Sequence, residues 1–213
     1  MELSVRRKPN VTTKSSDGRD LFEAEALYAD SIFRNTLGDI DASIASVRRA
    51  IEIRPDYAPA ILTMGSIEYQ LGKDDEGRRL FHSLLLLSDQ TEDLWEVIDK
   101  AGDFLIQRES YADGMRLYEK AIERFPNRAR LYQGLACCAG HEELFDNAVS
   151  ASEKALALDP QSQRLTNDLG WSLFQAGRLE DAERILSRAV VMNPSDELAR
   201  ENLIHCQAER SKR

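Results

Sequence analysis

From Leu21 onward, apolar residues recur at helical spacing, and the pattern scarcely breaks before the basic end of the chain. It is clearest between Ala129 and Pro194. There Leu135-Ala136 is answered by Leu169-Gly170, Ala148 by Ala182, Ala155 by Ala189 and Pro160 by Pro194. Every pair is 34 residues apart (169 − 135, 182 − 148, 189 − 155, 194 − 160). A fixed period of that size, filled with helix-forming residues, predicts a stacked array of helix–turn–helix units.

Carried along the chain, the register divides it into five units: 24–57, 58–91, 95–128, 129–162 and 163–196. Ahead of them, residues 1–20 show no helical periodicity and include Pro9, Asn10, Ser15, Ser16, Asp17 and Gly18, which predicts a disordered polar tail. Behind them, Ser195-Asp196 is a helix N-cap signal. It predicts that 197–213 holds a C-terminal capping helix whose apolar face is Leu198, Leu203 and Ile204. One irregularity interrupts the register. Pro55 and Pro126 are 71 residues apart, two periods and three residues more, and the surplus falls at Glu92, Asp93 and Leu94. A hinge is expected there.

Each unit keeps a small residue near its eighth position (Ser31, Gly65, Gly102, Ala136, Gly170) and another near its twentieth (Ser43, Gly77, Gly114, Ala148, Ala182). Glycine inside a helix costs about 1 kcal/mol relative to alanine, so its recurrence needs a packing reason. Two antiparallel helices that approach closely supply one. Prolines at 55, 126, 160 and 194 stop the second helix of a unit, and Gly38, Gly72 and Gly177 fall where the turn inside a unit needs unusual backbone angles.

These marks resemble the tetratricopeptide repeat: a large apolar residue, Leu-Gly, a later Ala followed by a large residue, and a closing Pro. Unit five reads Leu169-Gly170, Leu173, Ala182, Leu186, Ala189, Pro194, and unit four reads Tyr132, Leu135-Ala136, Ala148, Ala155, Pro160. The resemblance covers 24–196. It implies an all-α, right-handed superhelical solenoid of about five repeats with a capping helix, whose first helices line a concave groove that binds protein partners. Projected onto that groove, the contact candidates are Tyr28, Ile32, Leu62, Tyr69, Asp99, Asp103, Arg130, Gln133, Asn167 and Trp171. A family variant clamps acidic C-termini with Lys and Asn side chains. The matching positions here, Tyr28, Ile32, Thr63, Glu96 and Lys100, mostly lack them, so that clamp is not expected.

Charge narrows the partner. The formal net charge is −9, which argues against nucleic acid, and the acidic pair Asp99/Asp103 points to a protein or peptide with basic residues. Three cysteines, two of them adjacent, form no disulfide framework and fit reduced thiols in the cytoplasm. The all-leucine run, Leu84 to Leu87, is far short of the ~20 residues of a membrane span.

Catalytic chemistry finds no motif. There is no phosphate-cradling loop, no Gly-x-Ser-x-Gly and no His-Glu-x-x-His. Cys137 and His141 share a helical face as half a metal site, but no second pair has compatible spacing nearby. The expectation is a non-catalytic interaction scaffold or adaptor without cofactor or metal. The alternative is a structural homo-oligomer built through the repeat array.

Overall fold

Eleven α-helices and no strand make up the described part of the chain, residues 13–212 of a computed structural model. They form two compact units that part between Thr91 and Glu92. The first holds α1 (Thr13–Thr36), α2 (Ile40–Ile53), α3 (Ala58–Gln70) and α4 (Asp74–Leu84). The second holds α5 (Leu94–Gln107), α6 (Tyr111–Arg124), α7 (Ala129–His141), α8 (Phe145–Leu158), α9 (Gln163–Gln175), α10 (Leu179–Met192) and α11 (Glu197–Arg210).

Local chemistry fixes many of the boundaries. Asp39, Ser162 and Asp196 each accept a hydrogen bond from the backbone N–H three residues on, capping α2, α9 and α11. Pro59 sits in the first turn of α3, where its missing N–H leaves no hydrogen bond unmade. Gly38, Gly72 and Gly177 take φ of 79°, 75° and 72° in the turns between paired helices. Units three and four place Glu109 and Glu143 at the same turn position, with φ of 61° and 59°. There a side chain occupies backbone space that glycine fills without strain.

In the first unit α1 packs on α2, α2 on α3 and α3 on α4. Ala24, Val47, Ala50, Ala60 and Met64 are its buried centre, with Leu27, Tyr28, Ile44 and Tyr57 around them. The small residues let helices meet: Ser43 Oγ donates to the carbonyl of Ser31 at 2.8 Å across the α1–α2 contact. Between α3 and α4 the rings of Tyr69 and Phe81 lie 5.4 Å apart. A Cβ added at Gly65 would come within 2.6 Å of Phe81 Cδ1, and one at Gly77 within 2.7 Å of Tyr69 Cε2. Each aromatic ring therefore occupies the space that the opposite glycine leaves open.

The second unit repeats the device. Tyr118 of α6 is wholly buried, and a Cβ at either Gly102 of α5 or Gly134 of α7 would stand 2.5 Å from its Oη. Gly170 of α9 makes the same room for Leu186 of α10. Leu165, Leu169, Leu173, Ile185, Leu186 and Cys206 then build the core that α9, α10 and α11 share.

Two expectations need correction. Helix α1 begins at Thr13, so residues 13–20 of the expected tail are helical; residues 1–12 lie outside the described part. The capping helix also turns a different face inward. Ala199, Asn202 and Cys206 are buried with Leu203 packed beside them, whereas Leu198 and Ile204 are 59% and 60% exposed. Helix α11 touches both α9 and α10, and the narrow side chains of Ala199 and Cys206 permit the approach that leucine would block.

Candidate functional site

In the second unit, the first helices of successive repeats stand side by side: α5 contacts α7, α7 contacts α9 and α9 contacts α11. A ladder of polar side chains crosses this face. Arg130 of α7 donates from Nε to Asp99 Oδ2 at 2.6 Å and from Nη2 to Asp103 Oδ2 at 3.1 Å, both on α5. One turn on, Gln133 Nε2 donates to Asp168 Oδ2 of α9 at 2.6 Å, and Arg164 Nη2 donates to Gln133 Oε1 at 2.7 Å. Asn202 Nδ2 of α11 donates to Asn167 Oδ1 at 3.1 Å. Residues one repeat apart face each other because consecutive repeats place equivalent positions in adjacent helices.

Electrostatically, the acidic centre read from the sequence is largely balanced. Asp99 and Asp103 share one guanidinium, and Asp168 lies beside Arg164. Burial pushes the Asp99 and Asp168 carboxyls above the usual aspartate value, against the hydrogen bonds from Arg130 and Gln133 that favour the charged form. Beneath them the Tyr118 hydroxyl lies 3.4 Å from both the Asp99 carbonyl and Asp103 Oδ1. Burial first, then these carboxylates, push the phenol upward, so it stays protonated and can donate.

Past the ladder lies a cavity of about 360 Å³. Trp171, Ala136 and Cys137 give it an apolar wall; Gln133, Asp168 and Gln175 give it a polar one. Its floor includes Ser152 and Ser172, whose Oγ atoms are 2.9 Å apart, and Ser172 Oγ also donates to the Asp168 carbonyl at 3.0 Å. The Trp171 ring stacks on Phe174 with centroids 5.0 Å apart. At the rim His141 stacks flat on Tyr111 at 4.0 Å. Burial raises the Cys137 thiol above its ordinary value, so it is not an activated nucleophile. Among the described residues no cluster of three His, Cys, Asp or Glu could hold a metal ion. Polar and apolar groups converge here, without a nucleophile–base pair: the arrangement suits recognition of a side chain.

The sequence candidates fare unequally. Asp99, Asp103, Arg130, Gln133 and Trp171 lie on the ladder or in the cavity. Asn167 is buried and occupied by Asn202, so it joins helices. In the first unit Tyr28 is half-buried, edge-on to Tyr57 at 5.7 Å, and accepts from Thr63 Oγ1 at 3.3 Å; Ile32 is exposed and Leu62 half-buried. Tyr69 must be withdrawn as a contact. It is wholly buried over Gly77, where the absence of a Cβ draws the ring inward. Sequence reasoning did not single out Tyr118, Ser152, Ser172 or Gln175. Nothing in the sequence set Ser152 and Ser172 apart from the other polar residues of α8 and α9.

Comparison with known proteins agrees with this architecture. Residues 31–57 and 141–203 match tetratricopeptide-repeat family models. Within those two segments the chain carries tetratricopeptide repeats. It is 26% identical over 108 residues to the small glutamine-rich tetratricopeptide repeat-containing protein 2 of Mycosarcoma maydis, covering 51% of this chain and 31% of that protein. Against the TPR repeat-containing thioredoxin TTL4 of Arabidopsis thaliana it is 23% identical over 150 residues, 70% of this chain and 22% of that one. It thus spans about a third or less of the length of these curated relatives. Among solved structures it is similar to YrrB, described as a TPR protein with an unusual peptide-binding site (TM-score 0.59, 18% identity, 90% of this chain and 97% of that one). MamA from Desulfovibrio magneticus RS-1 is similar too (TM-score 0.58, 17% identity, 82% and 97%). These likenesses show the fold. No helix among the described residues is long and apolar enough to cross a membrane.

Proposed function

We propose that the α5–α7–α9–α11 face binds an extended peptide or a helix of a protein partner, and that the protein is a non-catalytic adaptor or scaffold. The cavity beside Trp171 carries this reading: it holds one anchor side chain between an indole and a row of amide, hydroxyl and carboxylate groups. YrrB and the second TPR domain of human RPAP3, solved with an HSP70 peptide, are neighbours of this fold described as binding peptides, which supports the class of ligand. A Lys or Arg of the partner shares Asp103 with Arg130, so binding weakens as salt rises. The three cysteines are free, which suits a reducing compartment and makes the cytoplasm the proposed location.

Selection from a displayed peptide library tests this directly. Wild-type protein enriches peptides that share an anchor residue and a basic position; Trp171→Ala loses the anchor preference and Asp103→Asn the basic one. Identical enrichment by all three proteins would move binding off this face.

A further inference from the structure

The first helix has a second apolar face that the fold leaves uncovered. Helix α1 buries Ala24 and Ser31 against its neighbours. On the opposite side Phe22, Ala26, Ala29 and Phe33 follow one another at spacings of four, three and four, a single outward stripe. Phe22 is 72% exposed and Phe33 61%, and Leu37, just past the helix end and 68% exposed, extends the stripe. A rise of 1.5 Å per residue makes it about 16 Å long from Phe22 to Phe33.

The order of side chains along this stripe is self-complementary: large, small, small, large, symmetric about the middle of the helix. We propose that the stripe is a dimer contact, occupied by α1 of a second copy of this chain running antiparallel. A two-fold axis between residues 27 and 28 sets Phe22 against Phe33 of the second copy and Ala26 against its Ala29. The alanines stand where the helix axes cross, and their size allows the 8–10 Å separation of closely packed helices. The phenylalanines close over both ends. A contact of this kind uses the same patch twice and ends with two chains.

The four rings supply a little under half of the area a specific dimer needs, and the residues around them must supply the rest. At about 200 Å² for a phenylalanine side chain, the exposed fractions of Phe22 and Phe33 put roughly 530 Å² of apolar surface into a pair of chains. Specific interfaces begin near ~1,200 Å² in total, and Ala26, Ala29, Leu37 and the flanking positions of both helices lie around the four rings. Helix α11 offers this stripe no match. Opposite its buried residues it turns Glu197 and Glu201 outward beside Ile204 and Ala208, so a head-to-tail filament lacks an apolar counterpart. The inference does not rest on the peptide reading, which concerns the second unit.

The test is sedimentation equilibrium of the full purified chain from micromolar to millimolar concentration, with the variant Phe22→Asp/Phe33→Asp alongside. Both rings are exposed, so the variant keeps its far-UV circular dichroism and thermal midpoint. The wild-type mass rises with concentration from one chain to two and stops there; the variant's dissociation constant is higher by about a hundredfold or more. Orientation is read separately by mixing chains carrying Ala26→Cys with chains carrying Ala29→Cys. The antiparallel register gives the mixed disulfide ahead of either homodimer. A single-chain mass throughout, a dimer indifferent to the two aspartates, growth beyond two chains, or preferential 26–26 and 29–29 disulfides would each overturn the proposal. A single-chain mass with binding to lipid vesicles or to a different helix would assign the stripe another occupant.

Discussion

Replacing Gly134 by alanine separates intrinsic helix preference from packing in this protein. In isolation the change favours α7 by about 1 kcal/mol, because alanine is the best helix former and glycine nearly the worst. Packing acts in the opposite direction. The new Cβ would lie 2.5 Å from Tyr118 Oη and closer still to Cζ, and the same ring is held on its other side by the backbone at Gly102. Tyr118 is fully buried, so it cannot swing toward solvent without opening the α5–α6–α7 contact. Overpacking of a core costs about 1–3 kcal/mol, and a ring held on two sides belongs at or beyond the top of that range. The net expectation is a loss of about 2 kcal/mol. Urea unfolding followed by tryptophan fluorescence is the suitable assay, since Trp95 and Trp171, the chain's two tryptophans, both lie in the second unit. With a slope of about 2 kcal/mol per molar urea, the midpoint falls by roughly 1 M. Adding Tyr118→Leu removes the clash, so the double variant loses less than the sum of the singles by more than about 1 kcal/mol. A midpoint that stays put or rises in Gly134→Ala would refute the packing argument in favour of simple helix propensity.

Glu143→Gly relieves a left-handed residue at φ 59° and is expected to stabilise the second unit by about 0.5–1 kcal/mol, the strain relieved less the added chain entropy; an unchanged or lower urea midpoint refutes it. Asp99 and Asp168 have folded pKa values above the ordinary 3.8, so the stability each contributes is full below the unfolded value and is lost as pH rises through the folded one. Carboxyl-carbon NMR titration reads both directly, and a value at or below 3.8 for either contradicts the burial argument. Cys138, wholly buried and pushed up to about 12, resists iodoacetamide at pH 8 in the folded protein and reacts once unfolded in urea; rapid native labelling contradicts its placement beside Gly114. The hinge proposed for residues 92–94 predicts faster amide exchange there than in α3 or α6, and equal protection argues against it.

The sequence alone determined the period, and with it the repeating hairpin. A helix that must bury one side needs apolar residues every three or four positions, and two packed helices need small residues where they meet. Both requirements are local enough to leave a mark every 34 residues. Turn chemistry was equally legible at Gly38, Gly72 and Gly177, where the backbone itself selects the residue. The setting of each helix about its own axis was decided by tertiary structure. Tyr69 was legible as an aromatic at a groove position, yet Gly77 on the facing helix drew it into the core. Leu198 and Ile204 looked like the buried face of α11, yet contact with two helices favoured the slimmer edge of Ala199 and Cys206. Asp99 and Asp103 read as an acidic patch until α7 brought Arg130 across to them from 31 and 27 positions away in the chain. Periodicity reports which residues share a face. Which neighbour meets that face, and at what rotation, depends on side-chain volumes and charges from other repeats, and only the packed helices bring these together.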